Sequence, residues 1–251
     1  MGDARDNIEL SVAKSDRCKL DGDTALGLNK AKECIEMYVP DNFLMNDSEE
    51  IHGLIHANPF AILVSHSSEA GMVATHLPTV FKPDIGTHGA IEAHFARPNA
   101  HWRTFRESGA EALLIYSGSD GYIHPGWYPS KAKDGKVVPT WNYSAVHVYG
   151  HCQVMKDTDQ LRAHVAELSD QQEQGRAVPW ALDDAPEEYV QVMLRGIVGI
   201  RFEITRIEGK KKYSQNRPEP DRRGVVTGLR LDGGEPGLAM ADLVEREISN
   251  D

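Results

Sequence analysis

The sequence has few cysteines and no long apolar run, and these absences exclude several classes of protein. Only three cysteines occur in 251 residues, Cys18, Cys34 and Cys152, and no two of them form a CxxC pair. With an N-terminus that lacks an apolar signal core, this predicts reduced thiols and a cytoplasmic location. No segment approaches the roughly 20 apolar residues of a membrane-spanning helix. We therefore expect no membrane partner.

The chain is also short of positive charge. It has 27 Lys and Arg against 38 Asp and Glu, a formal net charge of −11. An acidic protein gains little from the counterion release that drives non-specific DNA binding. No helix-turn-helix signature is visible either. We therefore do not expect direct DNA binding.

Short catalytic motifs are missing as well. The sequence has no glycine-rich dinucleotide fingerprint, no P-loop and no spacing that indicates a Ser-His-Asp or Cys-His arrangement. His147 and His151 are four residues apart, but on a predicted strand such residues are separated by ~13 Å. We predict no metal site and cannot assign catalytic residues, so a bound cofactor would have to carry any chemistry.

What the sequence does have is an aromatic segment, Tyr122 to Gly150. Its 29 residues include two tryptophans and four tyrosines. Each ring exposes a large apolar area in water. We therefore predict a loop that packs on a core, a partner subunit or a flat ligand. Because Trp127 and Trp141 are flanked by lysines and prolines, an interface is favoured over pure core.

The order of the predicted elements favours a mainly β protein. Apolar or alternating runs predict antiparallel strands at 60–65, 72–81, 90–96, 111–116, 145–155 and 197–207. Helical spacing predicts a helix that begins after Asp47 and a helical insertion at about 158–196. Residues 1–36 are predicted to be a flexible leader, and 230–251 a weakly helical tail. Five or six strands in this order fit a closed or nearly closed β-barrel with a helical appendage.

Eight blocks of the sequence then carry a resemblance. They are MYVPDNF at 37–43, LIHANPFAILVS at 54–65, ATHLP at 74–78, AHFARPNAHW at 93–102, YIHPGWYPSK at 122–131, VVPTWNYSAVHVYG at 137–150, IVGIRFEITRIEGKKK at 197–212, and YSQNR with DRRGVVTGL at 213–229. In this order they resemble the PaiB-like family, FMN-binding negative transcriptional regulators of the split-barrel flavoprotein superfamily. The resemblance implies an FMN-binding split-barrel domain over residues 37–229, mainly β (α+β), with peripheral helices.

The resemblance also implies partners and a cofactor. Split barrels of this kind usually form homodimers with FMN at the subunit interface, and the aromatic segment would cover the partner's flavin. A small-molecule substrate would be oxidised or reduced there. The chain departs from the family pattern at Ala93, Pro98, Ala100, Lys211 and Tyr213 and in the stretch His124-Pro125-Gly126, close to the expected cleft.

FMN needs cationic donors for its phosphate, hydrogen bonds for its polar ring edge and a flat wall for its ring. By the resemblance, Arg97 with Asn99 and Trp102 would form the phosphate clamp, and Thr75, His76 and Leu77 would face the ring edge. Ser214, Gln215 and Asn216 would close the site. Lys131 and Lys136 are candidates for a cation near the reduced flavin or for substrate binding. His94 and Trp141 complete the predicted cofactor-binding set.

Simpler interpretations of these residues stay open. His76 and His94 are also compatible with ordinary barrel histidines, and Arg97 with a surface cation or ion-pair partner. The lysine run at 210–212 is most simply a solvated face.

Three functions therefore compete. The first is an FMN-dependent oxidoreductase, and the second is a regulator that senses a metabolite or a redox change. The third is a split barrel that binds haem or no cofactor.

Overall fold

The computed structural model describes residues 36–69, 71–105 and 111–249. The predicted leader lies outside these residues except for Glu36. The strands, in chain order, are β1 (Leu44–Met45), β2 (Phe60–Ser67), β3 (Gly71–Lys82), β4 (Ala90–Ala96), β5 (Glu111–Ile123), β6 (Thr140–Val154) and β7 (Ile197–Lys212). None of the helices among these residues is long and apolar enough to cross a bilayer.

The strands form one antiparallel sheet that closes on itself. Its order is β1-β7-β4-β3-β2-β5-β6, and an additional β6–β7 pairing closes strands β2 to β7 into a barrel. The register of the closing pair shifts between Tyr149 and Gly150. A Cβ at Gly150 would lie 2.1 Å from the carbonyl oxygen of Glu203, so only glycine allows this approach. The predicted split β-barrel with peripheral helices is confirmed.

Alternating side chains of the strands fill much of the barrel. On β2, Ala61 and Leu63 are fully buried, whereas the intervening Ile62 and Val64 point outward and are only half-buried. Phe95 of β4 and Phe202 of β7 are fully buried in the same core. The core is a packed interior rather than a channel, so a ligand site must lie on the outside of the barrel.

Two sets of helices cover parts of the barrel. Helix α1 (Ser48–Ala57) starts where predicted, because the Asp47 carboxylate accepts a hydrogen bond from the Glu50 amide at 2.9 Å. The short helix α2 (Lys131–Asp134) follows β5. The predicted insertion contains α3 (Thr158–Glu173) and α4 (Glu187–Arg195). Helix α3 packs on β3 and β7.

The C-terminal region is more ordered than the sequence indicates. Helix α5 (Glu219–Asp232) and helix α6 (Gly234–Ser249) pack on each other and on the end of β5. Met240, Ala241 and Val244 of α6 are fully buried. The sequence predicted a helix from about 230 but not its packing. Glycines and a proline at the start of α6 lower its helix propensity, but burial of its apolar face outweighs that cost.

Strands extend into the aromatic segment from both ends, so the predicted loop is shorter than expected. Strand β5 continues to Ile123 and β6 begins at Thr140, so only residues 124–139 connect them. Trp127 and Tyr128 pack against α5 and belong to its apolar cluster. Tyr128 is therefore part of a core, whereas Trp127 is half-buried against it. Trp141 remains 53% exposed.

We expect Gly228→Ala to lower the free energy of unfolding by about 1–3 kcal/mol, the usual cost of overpacking. A Cβ at Gly228 would lie 2.2 Å from the Trp127 ring, so the ring would have to leave its place on α5. Denaturant unfolding of the two proteins measures the difference. Gly53→Ala is the matched control, because no atom lies within 4 Å of a Cβ there. It should stabilise α1 slightly, and equal destabilisation by both changes would contradict the packing argument.

Candidate cofactor site

A buried polar network lies where β2, β3 and the end of β4 meet. The His101 ring bridges two hydroxyl groups, with Nε2 2.8 Å from Ser65 Oγ and Nδ1 2.8 Å from Thr75 Oγ1. Asn99 donates through Nδ2 to Thr75 Oγ1 at 3.3 Å, and its Oδ1 accepts from the His101 amide at 3.0 Å. The predicted residues Thr75 and Asn99 are thus brought together by a histidine that the sequence analysis did not select.

The protein holds His101 rigidly. It lies in the 3₁₀ helix Ala100–Phe105 and is only 3% exposed. Its ring centroid is 5.4 Å from that of Phe95 and 5.3 Å from that of Phe105. Burial lowers the pKa of His101, so the ring is neutral and has one N–H and one acceptor nitrogen. The Thr75 hydroxyl on β3 is therefore oriented by two partners, the His101 ring and the Asn99 side-chain amide.

Arg97 stands beside this network, at the end of β4. Its Nε donates to the carbonyl of Arg195 at 2.6 Å, and its Nη2 donates to the carbonyl of Ile197 at 2.8 Å. Trp102 Nε1 in turn donates to the Arg97 carbonyl at 3.0 Å. The guanidinium is fixed by backbone atoms and carries no ion pair with any described carboxylate. Its Nη1 group stays available for an anion.

The other predicted β3 residues lie on two sides of the sheet. Leu77 is 4% exposed and belongs to the barrel core, so only its backbone could meet a ligand. His76 is exposed and stacks on Phe60, with ring centroids 5.9 Å apart. His76 pairs across the sheet with Ile62 of β2, and Ile62 pairs in turn with Ile115 of β5. We call this outward surface the open face; it consists of Phe60, Ile62, Val64, Met72, His76, Leu113 and Ile115.

His94 points to a different neighbour. Its Nδ1 lies 3.1 Å from Nε2 of His164 on α3. His164 is 1% exposed and its Nδ1 is 4.0 Å from Oε2 of Glu92, whose other oxygen accepts two hydrogen bonds from Arg201. The structure thus places His94 in a buried polar chain under α3, apart from the network around Thr75.

We expect this chain to make stability depend on pH. Burial, then the nearby His94 and Lys82, lower the pKa of His164 from 6.5 to about 3. Below pH 6.5 the His164 ring binds a proton in the unfolded chain, whereas the same ring in the native protein stays neutral down to about pH 3. His164 should therefore reduce the free energy of unfolding by about 2 kcal/mol from pH 7 to pH 5. Unfolding of wild type and His164→Gln at both pH values measures this difference, and an equal pH dependence in the two proteins would contradict it.

The remaining predicted residues form a second group at the far end of β6 and β7. Lys131 is exposed on α2, and Trp141 lies edge-on to Tyr122 at 6.1 Å between ring centroids. Ser214 is buried, has a φ of 66° and accepts a hydrogen bond from Asn142 Nδ2 at 2.9 Å. Gln215 bonds the backbone of Tyr213 and Lys211, and Asn216 is exposed.

The two groups of predicted residues lie too far apart to bind one ligand within a single chain. Thr75 of β3 pairs with Leu63 of β2. Leu63 pairs with Leu114 of β5, which pairs with Val148 of β6, so Thr75 and Val148 lie at the same level of the sheet. Trp141 comes seven residues earlier on β6, which corresponds to roughly 20 Å along the strand. The strand register therefore separates the two groups of predicted residues along the barrel.

A cavity elsewhere in the chain does not replace this site. It has a volume of about 790 Å³ and lies between α1, the end of β3, α3 and residues 174–181. None of the predicted cofactor residues lines it. Its walls include Glu167, Asp170 and Glu173, whose charge opposes a phosphate. Among the residues that the structure describes, no group of three or more His, Cys, Asp or Glu side chains could hold a metal ion.

The comparison with protein families decides which family this site belongs to. The model of the family described as "Putative FMN-binding domain" matches residues 37–206. The chain belongs to this FMN-binding family. The resemblance to the PaiB-like proteins is thereby confirmed, and a relative of Bacillus subtilis named "Protease synthase and sporulation protein PAI 2" is 33% identical over 213 residues. That match covers 84% of this chain and 98% of the relative.

Other members and neighbours agree with this placement in the FMN-binding family. An uncharacterised protein of Aspergillus fumigatus is 31% identical over 234 residues, covering 76% of this chain and 90% of that protein. The solved structure of an FAD- and haem-binding protein from Mycobacterium smegmatis is 16% identical, with a TM-score of 0.51 over 73% of this chain and 79% of that chain. At this identity the structural match shows the shared fold alone.

The side chains at the end of β4 fit the phosphate of FMN. A phosphate needs charge-assisted donors, and Arg97 provides a fixed guanidinium with Nη1 available. Thr75 adds a hydroxyl and Asn99 an amide on the same side of the turn. The pair of His76 and Phe60 is exposed on the outward face of β2 and β3, opposite to the face on which the Thr75 side chain lies. The donor chemistry therefore agrees with the family.

Proposed function

We propose that this protein is a homodimer that binds FMN between its protomers and acts as a flavin-dependent oxidoreductase on a small molecule. One observation carries the proposal: the family's predicted cofactor residues divide into two groups separated by roughly 20 Å along β6. Neither group lines the cavity of about 790 Å³ described above. Two protomers that pack in opposite directions would complete two equivalent sites.

The open face supplies the surface for this dimer. Phe60 and Met72 are 65% and 69% exposed, and Ile62, Val64, Leu113 and Ile115 are each half-buried between them. Contiguous apolar patches on a soluble chain mark interaction sites. A second copy is the occupant that the family resemblance supports, because the open face borders the Thr75 network on β3. A symmetric pair would bury the same residues on both protomers.

Each protomer's residues have a defined task in this arrangement. Arg97, Thr75 and Asn99 would hold the phosphate, and His101 would fix the direction of the Thr75 hydroxyl. His76 and Phe60 would form the wall under the flavin ring. Trp141 and Lys131 of the second protomer would exclude water and place a positive charge nearby. Bound FMN would supply the hydride and electron chemistry.

The proposal also includes a cytoplasmic location. Its support is the cysteine usage of the chain, with Cys152 present as a buried free thiol. Burial raises the pKa of that thiol well above its ordinary value, so it is no nucleophile for the reaction.

An absorbance spectrum before and after addition of FMN tests the proposal. We expect the spectrum of oxidised flavin after removal of free FMN, and bleaching of that spectrum when NADH or NADPH is added without oxygen. A protein that shows a Soret band instead would be a haem protein of this fold. If the protein retains no FMN, or if neither NADH nor NADPH reduces the bound FMN, the proposed oxidoreductase activity is wrong.

A further inference from the structure

A group of cations lies at the far end of β7, and none of the functions above uses it. We call it the basic cluster; it consists of Lys210, Lys212 and Arg217. Lys210 and Lys212 share one face of β7. Neither forms an ion pair within 4.0 Å with a carboxylate of the described residues. Lys211, on the opposite face, instead pairs with Glu50 at 2.9 Å and Glu247 at 3.0 Å.

The basic cluster is not a solvated face, which corrects the simplest interpretation of the lysine run. Lys210 is only 7% exposed. Its Nζ donates to the carbonyl of Tyr38 at 2.8 Å and lies 5.5 Å and 5.0 Å from the ring centroids of Tyr38 and Tyr143. Carbonyl and ring contacts satisfy donors but do not neutralise the charge.

Lys212 and Arg217 also contact neutral groups rather than carboxylates. The Lys212 ammonium donates to the Thr140 hydroxyl. Burial, then the nearby charges of Lys210 and Arg217, lower the pKa of Lys212. Arg217 Cζ lies 4.8 Å from the ring centroid of Tyr128. The cluster therefore keeps its charges together at a cost in stability.

Nearby carboxylates are already engaged. Glu208, two residues before Lys210, pairs with Arg206 and accepts a hydrogen bond from the Met37 amide. Asp221 accepts hydrogen bonds from the amide and hydroxyl of Ser130, so its oxygens are occupied although its charge remains, and it forms no ion pair with the three cations. In a chain with a net charge of −11, three cations without an acidic partner among the described residues indicate a site for an external anion.

We propose that Lys210, Lys212 and Arg217 bind the anionic group, a phosphate or a carboxylate, of a small-molecule ligand. Aromatic rings line the cluster, namely those of Tyr38, Tyr128 and Tyr143, so the rest of the ligand has a flat or apolar part. Since Arg97 and Thr75 fit the flavin phosphate, the anion is that of the substrate. This last assignment rests on the proposed function, whereas the anion site itself does not.

Isothermal titration calorimetry of the flavin-free protein with inorganic phosphate tests the site without any cofactor. We expect saturable binding by wild type and a dissociation constant at least about tenfold higher for Lys212→Met and for Arg217→Met. Lys212→Arg should retain binding because it keeps the charge. Lys133→Met removes an exposed cation of α2 and should have no effect. Thermal unfolding of each variant shows that a loss of binding is not a loss of fold.

A second arm identifies the source of the anion. If the basic cluster holds the substrate, Lys212→Met will leave the preference for FMN over riboflavin unchanged. If Lys212→Met reduces the preference for FMN over riboflavin, the basic cluster binds the flavin phosphate. It would then still be an anion site, but not that of the substrate. Phosphate binding that is absent from wild type, or equal in wild type, Lys212→Met and Arg217→Met, would overturn the proposal. Failure to bind FMN with phosphate binding intact would instead count against the proposed function alone.

Discussion

Replacement of Arg97 by methionine should raise the dissociation constant for FMN by about 10- to 100-fold, the value of a charge-assisted hydrogen bond to phosphate. The Arg97 guanidinium is held by the carbonyls of Arg195 and Ile197, so it meets the ligand without a loss of side-chain entropy on binding. Quenching of FMN fluorescence during titration measures the affinity.

Riboflavin makes this prediction sharper, because it has the flavin ring but no phosphate. Arg97→Met should change the affinity for riboflavin little. Arg103→Met is the control, since Arg103 lies on the same turn, over the Trp102 ring at 5.7 Å from its centroid. Unchanged FMN binding by Arg97→Met would show that the phosphate is held elsewhere. An equal loss of FMN and riboflavin binding would show that Arg97 acts only on the fold of the turn.

The second large effect is expected at the open face. Ile62→Glu should convert a dimer into a monomer, so that the mass in solution falls from twice the chain mass of 27.8 kDa to that mass. Ile62 lies between His76 and Ile115 at the centre of the face, where a partner would bury the carboxylate without a counter-charge. Light scattering after size exclusion gives the mass, and FMN binding should be lost together with the dimer.

Val178→Glu controls for the added charge, because Val178 is 86% exposed in the loop after α3 and far from the open face in the fold. It should leave both mass and FMN binding unchanged. A wild-type monomer that still binds FMN would contradict the role of the dimer. Retention of the dimer by Ile62→Glu would place the interface on another surface.

The barrel could be predicted because its strands follow simple rules. Alternation of Ile200, Phe202 and Ile204 with polar residues marks β7, and short apolar runs mark β2 and β4. Helix α1 was predictable for a local reason, since the Asp47 cap needs only a residue three positions later. Strand lengths were underestimated because β5 and β6 remain paired as far as Ile123 and Thr140, where β5 contacts α6.

Long-range arrangements could not be predicted in the same way. His101 looked like any other histidine, and only the fold brings Ser65 and Thr75 to its two ring nitrogens. The run at 210–212 looked uniformly solvated, although strand alternation would have separated Lys211 from its two neighbours. The family resemblance supplied cofactor residues but not the distance between Thr75 and Trp141, because that distance depends on the strand register.

Shared sites between protomers can be measured directly by complementation. Arg97→Met and Trp141→Ala each break one group, and the account predicts weak FMN binding by each homodimer. Co-expression with two different affinity tags isolates the heterodimer, in which one site has both intact groups and the other has neither. We expect one tightly bound FMN per heterodimer. A heterodimer that binds FMN no better than the two homodimers would contradict a flavin site built from both protomers.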